Sequence, residues 1–590
     1  MGIVQAIQSA VSTTLNKDFG LSTLPQDILV NETKPEFSGD YTVVLFSFIK
    51  SLKKSPEQLG NELGTALLAS EPGLFTGFNI IKGFLNLEIT DSYWTDFLQQ
   101  WHSRNDLGQH PATAKRVMVE YSSPNTNKPL HLGHLRNNFL GWSMAEIFKK
   151  NGYEVVKTSI LNDRGIHICK SMIAWQLFGN GATPESTGIK GDHLVGDYYV
   201  MFGEEWKKQI QEGIEKGMTK EEAEKEAPIM KAAQQMLVDW EAGKPEVIDI
   251  WKMMNSWVYN GFKVTYERIG CDFDKTYFES DTYLLGKDMV QKGLEKGVFE
   301  QEADGSVWID LTADGLDRKI VRRRDGTAVY ITQDIGLAEL KQKEFNCDQS
   351  IYVVGDEQNY HFKVLKLICQ KLGLPSADGI YHLSYGMVEL PTGRMKTREG
   401  TVVDADDMVD EMEQVAAQKT EELGKVKDFT AEELKTLYHT LGMGALKFFL
   451  MRVDPKKRMI FNPEESVDFH GFTGPFVQYT HARIRSILRK QAPTENKIGS
   501  SLLPLEKKLL LLLEQYPVAI AQAGTEMNPS VIANYCFNLA KQYNSFYSEH
   551  SVMNAESEEK KELRLRICKL TANVIKDGMG LLGIAVPERM

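Results

Sequence analysis

Val117-Met-Val-Glu-Tyr-Ser-Ser-Pro-Asn-Thr-Asn-Lys-Pro-Leu-His-Leu-Gly-His134 runs from a short apolar segment through a proline-bounded polar loop into two histidines around a glycine. Val117 to Tyr121 reads as a buried strand, Leu135 to Lys150 carries helical periodicity, and Glu154 to Leu161 reads as a second strand. Strand, loop, helix, strand is the building block of parallel sheets in nucleotide-binding α/β domains, so this stretch decides the fold class. Its loop is suited to an anion. Asn125 and Thr126 can cap, Pro129 fits a first helical turn, and a helix N-terminus offers free N–H groups and a positive dipole end. His131 and His134, three apart, share a face and can both donate to a phosphate or a ribose oxygen. Gly133 between them lets a flat ring lie on the backbone, and Lys128 adds a cation in front; the combination suits ATP. A metal pair is the rival chemistry, but the glutamate of H-E-x-x-H is missing and Leu132 takes its slot, so no metal ligand is assigned. The histidines alone would also fit a helix cap beside a buried ring.

Outward from this motif, 590 residues and 66.7 kDa are too much for one core and imply about three or four domains. With 42% hydrophobic and 25% charged residues the composition is that of a globular chain. The longest purely apolar block, Leu509 to Leu513, is far below the roughly 20 residues needed to span a bilayer. No secretion signal follows the initial Met-Gly, and Ala6 stands where a myristoylation signal needs Ser or Thr, so a cytoplasmic address with no membrane partner is expected. Six cysteines with no C-x-x-C pair argue against a disulfide framework and a zinc knuckle alike. The net charge of -12 opposes a nucleic-acid partner, yet basic runs stand out locally: Lys319 with Arg322 to Arg324, Lys456 to Arg458, and Arg483, Arg485, Arg489 and Lys490 on one predicted helix.

Residues 1–108 read as a small α/β module, with a helix over Ser55 to Ala69 and a strand over Phe84 to Ile89, and Trp101 to Ala114 reads as a linker. Residues 109–408 hold the parallel-sheet unit, interrupted at about 184–257 by a Lys/Glu-rich helical insertion such as Lys220-Glu-Glu-Ala-Glu-Lys-Glu226. Strands are expected to resume at Ala328 to Thr332, Gln349 to Gly355 and Gly379 to Leu383, with a helix over Phe362 to Leu372. Residues 409–590 read as almost only helix, including one long helix over Leu502 to Gln522.

The long pattern of strand, Pro-Asn loop, lysine, His-x-Gly-His and helix resembles the class I aminoacyl-tRNA synthetases, and Glu120-Tyr-Ser-Ser-Pro-Asn-Thr-Asn-Lys-Pro-Leu-His-Leu-Gly-His134 is similar to the arginyl members. Asn162-Asp-Arg-Gly165, Asp325-Gly-Thr-Ala-Val-Tyr-Ile-Thr-Gln-Asp334, Gly474-Pro-Phe-Val-Gln-Tyr479 with His481-Ala-Arg483, and Gly83-Phe-Leu-Asn86 agree with the same family. The resemblance implies a Rossmann-like catalytic domain with a helical insertion, a small N-terminal tRNA-binding domain and an all-α anticodon-binding domain. It implies an arginine-tRNA ligase that makes arginyl-adenylate from L-arginine and ATP with Mg2+, then charges the 3' end of tRNA(Arg), with activation waiting on bound tRNA and a monomer as the expected state. Carried over residue by residue, His131, His134 and Lys128 are catalytic and hold ATP with Gly133, Met395, Lys396 and Arg398. Glu120, Asn125, Tyr330, Asp334 and Gln358 would form the arginine pocket, and Tyr479, His481 and Arg483 would meet tRNA.

A guanidinium is permanently charged and prefers planar carboxylate partners, which suits Glu120 and Asp334 at the carboxyl edge of a sheet. One element departs from the class. Where Lys-Met-Ser-Lys-Ser is usual, the chain has Gly393-Arg-Met-Lys-Thr-Arg-Glu-Gly400, with Glu399 near an expected cation. Lys128 is the substitute for the phosphate charge, assisted by Arg394, Lys396 and Arg398. The two other classes weighed are a free-standing nucleotidyltransferase, which would be much shorter and lack the helical domain, and a non-catalytic synthetase relative, which should have lost the histidines or the pocket acids.

Overall fold

The computed structural model describes residues 2–34, 36–327, 329–391, 403–422, 424, 426, 428–494, 498 and 501–590. At the N-terminus, α1 (Ile3–Asp18), α2 (Phe46–Leu52), α3 (Pro56–Ser70) and α4 (Asp91–Trp101) accompany strands β1 (Val30–Glu32), β2 (Tyr41–Val44), β3 (Phe75–Ile81) and β4 (Phe84–Ile89). The strands form an antiparallel sheet in the order β1-β2-β4-β3.

The central sheet is parallel throughout, in the order β12-β11-β5-β6-β7. It starts with β5 (Arg116–Glu120), α5 (Leu132–Lys150), β6 (Glu154–Leu161) and α6 (Ile166–Phe178). The insertion then supplies α7 (Pro184–Thr187), α8 (Gly191–Glu215), α9 (Lys220–Glu226), α10 (Pro228–Glu241) and α11 (Pro245–Ile269) before β7 (Lys275–Phe278). Next come α12 (Glu279–Thr282), α13 (Lys287–Glu295) and a small antiparallel sheet of β8 (Glu300–Gln301), β9 (Val307–Ile309) and β10 (Lys319–Arg322). The chain returns through α14 (Tyr330–Phe345), β11 (Gln349–Gly355), α15 (Asn359–Lys371) and β12 (Ile380–Tyr385). Sequence order therefore runs outward from β5 in one direction and resumes beside it at β11. The crevice at the carboxyl ends of β5 and β11 is the switch point where open α/β sheets take ligands.

The C-terminal third is helical: α16 (Ala405–Glu422), α17 (Ala431–Met451), α18 (Pro463–Ser466), α19 (Gly474–Lys490), α20 (Pro504–Glu514), α21 (Tyr516–Glu526), α22 (Ser530–Glu549) and α23 (Glu558–Leu581). A short parallel pair, β13 (Val388–Glu389) with β14 (Met459–Ile460), ties it to the sheet. The buried Arg136 guanidinium reinforces that tie by donating to the carbonyls of Gly386 at 2.5 Å, Lys457 at 2.9 Å and Pro455 at 3.1 Å.

Three expectations need correction. Tyr330 to Thr332 open a helix rather than a strand; the β-branched residues are overridden by packing of α14 on Leu285 and Gly286, which leaves no room for a Cβ at Gly286 beside the Thr332 carbonyl. The single helix over Leu502 to Gln522 is two, because Pro517 cannot donate to the preceding turn and instead sits in the first turn of α21. The insertion helices extend to Ile269, since the apolar stripe of α11 continues through Phe262 and Ile269.

Candidate active site

Helix α5 fixes the histidine pair. Thirteen of its nineteen residues are buried, apolar ones on every side, so the helix runs through the core and its N-terminus has little freedom. His131 is the N-cap: its Nδ1 accepts from the Gly133 N–H at 3.2 Å, and the His131 N–H donates to Nδ1 of His134 at 3.1 Å. The rings lie 3.8 Å apart, tilted by 35°. Because each Nδ1 accepts a backbone proton, each neutral ring carries its proton on Nε2, which is left as an N–H donor. Both are held neutral. Burial and then the Lys128 charge push His131 down to about 3. His134 is driven down in the same direction by burial, His131 and Lys128. Burial also lowers the Lys128 ammonium.

The loop before the helix is tied at several points. Ser122 closes β5 with φ of +60°, a conformation unusual for a side-chain residue, and is held there by its N–H bond to Asn137 Oδ1 at 2.7 Å. Asn137 Nδ2 in turn donates to the Val353 carbonyl of β11 at 2.6 Å. Asn125 forms a parallel bridge with Asn162, and Thr126 Oγ1 donates to Asn255 Oδ1 of α11 at 2.5 Å. The loop therefore spans from the sheet to the insertion.

Acids gather at the other side of the switch point. Glu120 ends β5, as the sequence suggested, but its carboxylate is buried against the Lys341 ammonium of α14. Asp334, one turn into α14, accepts from His361 Nε2 at 2.6 Å in the protonated-donor tautomer. Tyr330 heads the same helix with 75% of its surface exposed, and Gln358 follows the end of β11. The buried Tyr352 hydroxyl between these groups is kept protonated by burial first and by the Glu120 and Asp334 charges after it. Asp163 is buried and accepts from Ser280 N at 2.8 Å, Ser280 Oγ at 2.7 Å and the Tyr259 hydroxyl at 2.8 Å. Arg164 lies over the Tyr283 ring at 3.9 Å.

Glu279 was missed in the sequence. Burial, with Asp163 and Asp334 nearby and only Arg164 opposing, pushes its carboxyl up to about 7. The available signal was the same as for Glu120: an acid at the carboxyl end of a strand, here directly after Phe278. Lys341 and His361 carried no such signal, because each sits inside an otherwise ordinary helix.

The second cation set, Met395, Lys396 and Arg398 with Arg394 and Glu399, lies outside the described residues. In the helical domain Tyr479 packs edge-on to Phe469 and under the Arg483 guanidinium at 4.9 Å, while Arg483 donates to Asn544 at 2.6 Å. His481 does not face outward. It is 1% exposed, its Nδ1 lies 2.9 Å from the Pro587 carbonyl, and burial lowers its pKa, so it braces α19 against the C-terminus.

Comparisons with known proteins bear on the family and the fold. The family description "tRNA synthetases class I (R), catalytic domain" matches residues 98–462, "Arginyl tRNA synthetase N terminal domain" matches 3–89, and "DALR anticodon binding domain" matches 477–590. Arginine-tRNA ligases of Bacteroides thetaiotaomicron and Flavobacterium psychrophilum are each 52% identical over the full length of both chains. Among solved structures, Thermus thermophilus arginyl-tRNA synthetase superposes with a TM-score of 0.78 at 24% identity, covering 99% of this chain and 100% of that one. The Plasmodium falciparum arginyl-tRNA synthetase gives 0.76 at 17%, covering 100% and 99%, so the fold is shared well beyond the range of close sequence likeness.

Proposed function

The chain belongs to the arginyl-tRNA synthetases and charges tRNA with arginine, and we propose that it does so with ATP on the N-terminus of α5 and arginine against the acids around α14. The observation that carries this reading is the pair of close-set rings at the N-terminus of α5, each with its Nδ1 taken by a backbone N–H and its Nε2 left to donate, at the switch point of the sheet. Neutral imidazoles suit the task. They donate to phosphate or ribose oxygens without adding charge that would have to be desolvated.

In the first step the arginine carboxylate attacks the α-phosphorus in line and pyrophosphate leaves. His131 and His134 donate to oxygens on ATP, and Lys128 meets the negative charge that builds on the phosphates. Burial is what lowers the Lys128 ammonium, and among the described residues no acid raises it again, so the charge is left for the phosphates. In the second step the 2'-hydroxyl of the terminal adenosine of tRNA(Arg) attacks the arginyl carbonyl carbon, the new ester forms as the acyl–phosphate bond breaks, and AMP leaves, the hydroxyl proton passing to its phosphate or to water.

The guanidinium would enter between Asp334, Glu279 and the Glu120 side, with Asn125 toward the α-amino group and Tyr330 and Gln358 at the rim. Glu279, pushed up by burial and by the Asp163 and Asp334 charges beside it, is what a pocket awaiting a cation shows. Mg2+ is expected to travel on the phosphates of ATP, its usual mode of binding. The trio among the described residues spaced for a cation, Asp192, His193 and Asp406, already surrounds the Lys190 ammonium, so no step here runs through the metal.

Residues 1–108, 109–408 and 409–590 are read as tRNA-binding, catalytic and anticodon-binding parts. Tyr479 and Arg483 remain candidates for RNA contact, and His481 supports them from below. Six buried, unpaired cysteines fit a reducing compartment, hence the cytoplasm, and a monomer is the state proposed. Exchange of labelled pyrophosphate into ATP tests the reading, run with arginine in the presence and absence of tRNA. Exchange that needs arginine and tRNA together supports it. Exchange at full rate without tRNA contradicts the tRNA dependence, and exchange driven equally by lysine contradicts the acid pocket.

A further inference from the structure

Helix α8 touches the ATP loop in its second turn and, at its N-terminus, the chain segment that follows residues 392–402. Gly196 lies against the loop: a Cβ there would stand 2.8 Å from Pro129 Cδ and 3.6 Å from the Lys128 Cα. At the N-cap of α8, Lys190 Nζ donates to Asp192 Oδ2 at 2.9 Å, to Thr265 Oγ1 of α11 at 2.6 Å and to Asp406 Oδ2 at 2.7 Å. His193 Nε2 lies 3.3 Å from Asp404 Oδ2 and 3.5 Å from Asp406 Oδ2. From α11, the Arg268 guanidinium donates to the Asp406 carbonyl at 3.2 Å and to Glu413 Oε1 at 2.9 Å, and also meets Asp410.

The segment so held is the one that pairs with the histidine motif. Leu132 N–H donates to the Val403 carbonyl at 3.2 Å, Ala405 N–H donates to the Leu130 carbonyl at 2.9 Å, and His131 faces Asp404 across this antiparallel bridge. Asp404 also caps α16, accepting from the Asp406 N–H at 2.7 Å. Two backbone bonds by themselves are weak against chain entropy. Three carboxylates gathered at one point, Asp192 among them fully buried, would also repel each other without cations.

We propose that Lys190 and His193 are positioning residues of the ATP site: by neutralising Asp404 and Asp406 they keep Val403 to Ala405 paired with Leu130 to Leu132 and so fix the place of His131. This gives the Lys/Glu-rich insertion a part in the first chemical step, and it rests on the reading that His131 and His134 bind ATP. His193 faces Lys190, Asp192 and Asp197 from its own helix and Asp404 and Asp406 from the start of α16, with Arg268 of α11 beyond Asp406. The Asp406 carboxylate, 3.5 Å from Nε2, leads in raising its pKa above the usual value, with Asp404 and Asp192 acting the same way and burial opposing. The clamp is therefore complete at mildly acidic pH and loses the imidazolium as pH rises through that raised value.

Steady-state charging of tRNA by the full chain, with KM for ATP and for arginine measured separately between about pH 6 and pH 9, tests the proposal. Lys190→Met is expected to raise the KM for ATP about tenfold with the KM for arginine within about twofold, and Lys190→Arg to restore it. His193→Gln, a milder change at a half-buried position, is expected to raise the KM for ATP at low pH and to abolish its rise with pH. Wild-type KM for ATP in both Lys190→Met and His193→Gln overturns the proposal, and so does a parallel rise for both substrates. His131→Ala separates the two layers: if it is inactive while the Lys190 and His193 variants are normal, only the positioning role fails, and if it is fully active the ATP-site reading fails as well.

Discussion

The Glu120 carboxylate at the end of β5 and the Lys341 ammonium of α14 form an ion pair buried at both ends, with side-chain exposures of 9% and 2%. The Lys341 charge also lies 5.1 Å from the Tyr352 ring and 5.5 Å from that of Tyr277. Removing one partner of such a pair leaves a buried charge without compensation, which typically costs about 3 to 5 kcal/mol. Lys341→Met should destabilise the protein to that extent in denaturant titrations, and Lys341→Met with Glu120→Gln should recover most of it. If Glu120 also faces the arginine site, free arginine will raise the Tm of Lys341→Met more than that of the wild type. Equal shifts would remove Glu120 from the pocket.

Close packing of α8 on the ATP loop predicts the effect of a single methyl group. Gly196→Ala places its Cβ 2.8 Å from a proline ring atom that cannot rotate away. Overpacking of this kind costs about 1 to 3 kcal/mol, and the loop is the side that can move. The KM for ATP should rise while arginine binding is kept. A variant with unchanged ATP kinetics and unchanged Tm would show that the two elements do not bear on each other.

Glu279 gives a pH signature. Its carboxyl is raised from 4.5 to about 7, so between those values the unfolded chain has released the proton while the folded chain keeps it. Stability therefore falls as pH rises through that window, and Glu279→Gln should flatten this part of the stability-pH curve. Arginine binding runs the other way. The guanidinium favours the ionised form, so affinity for arginine should drop by up to about tenfold per pH unit below about 7 in the wild type and not in the variant. Identical pH dependence in both proteins would exclude Glu279 from the site.

Much of this architecture was legible because local and tertiary preferences agree. β4, β6 and β11 follow the expected strands, but α5 is capped by His131 rather than by Asn125 or Thr126, and Pro129 lies before the helix instead of in its first turn. Short elements were not legible. β9 has three residues and β8 two, too few for alternation to register, and the antiparallel sheet they form was absent from the reading. Tyr330 to Thr332 looked like a strand because propensity is weak beside packing. In the site, Glu120 ends β5 and Lys128, His131 and His134 stand in the loop and first turn of α5 that follow it. His361, Lys341, Lys190 and His193 meet acidic partners on distant segments, and nothing in their local sequence distinguishes them from solvated side chains. His481 shows the reverse error: a polar residue in a basic helix looks exposed until the C-terminus folds over it.

The account stands most directly on Lys128, the half-buried cation in front of the two neutral rings. Single-turnover formation of arginyl-adenylate by Lys128→Ala, with tRNA bound, should be slower by about 100-fold, equivalent to about 2.7 kcal/mol of transition-state stabilisation, while arginine affinity stays near that of the wild type. An unchanged rate of adenylate formation would contradict the assignment of the phosphate charge to Lys128.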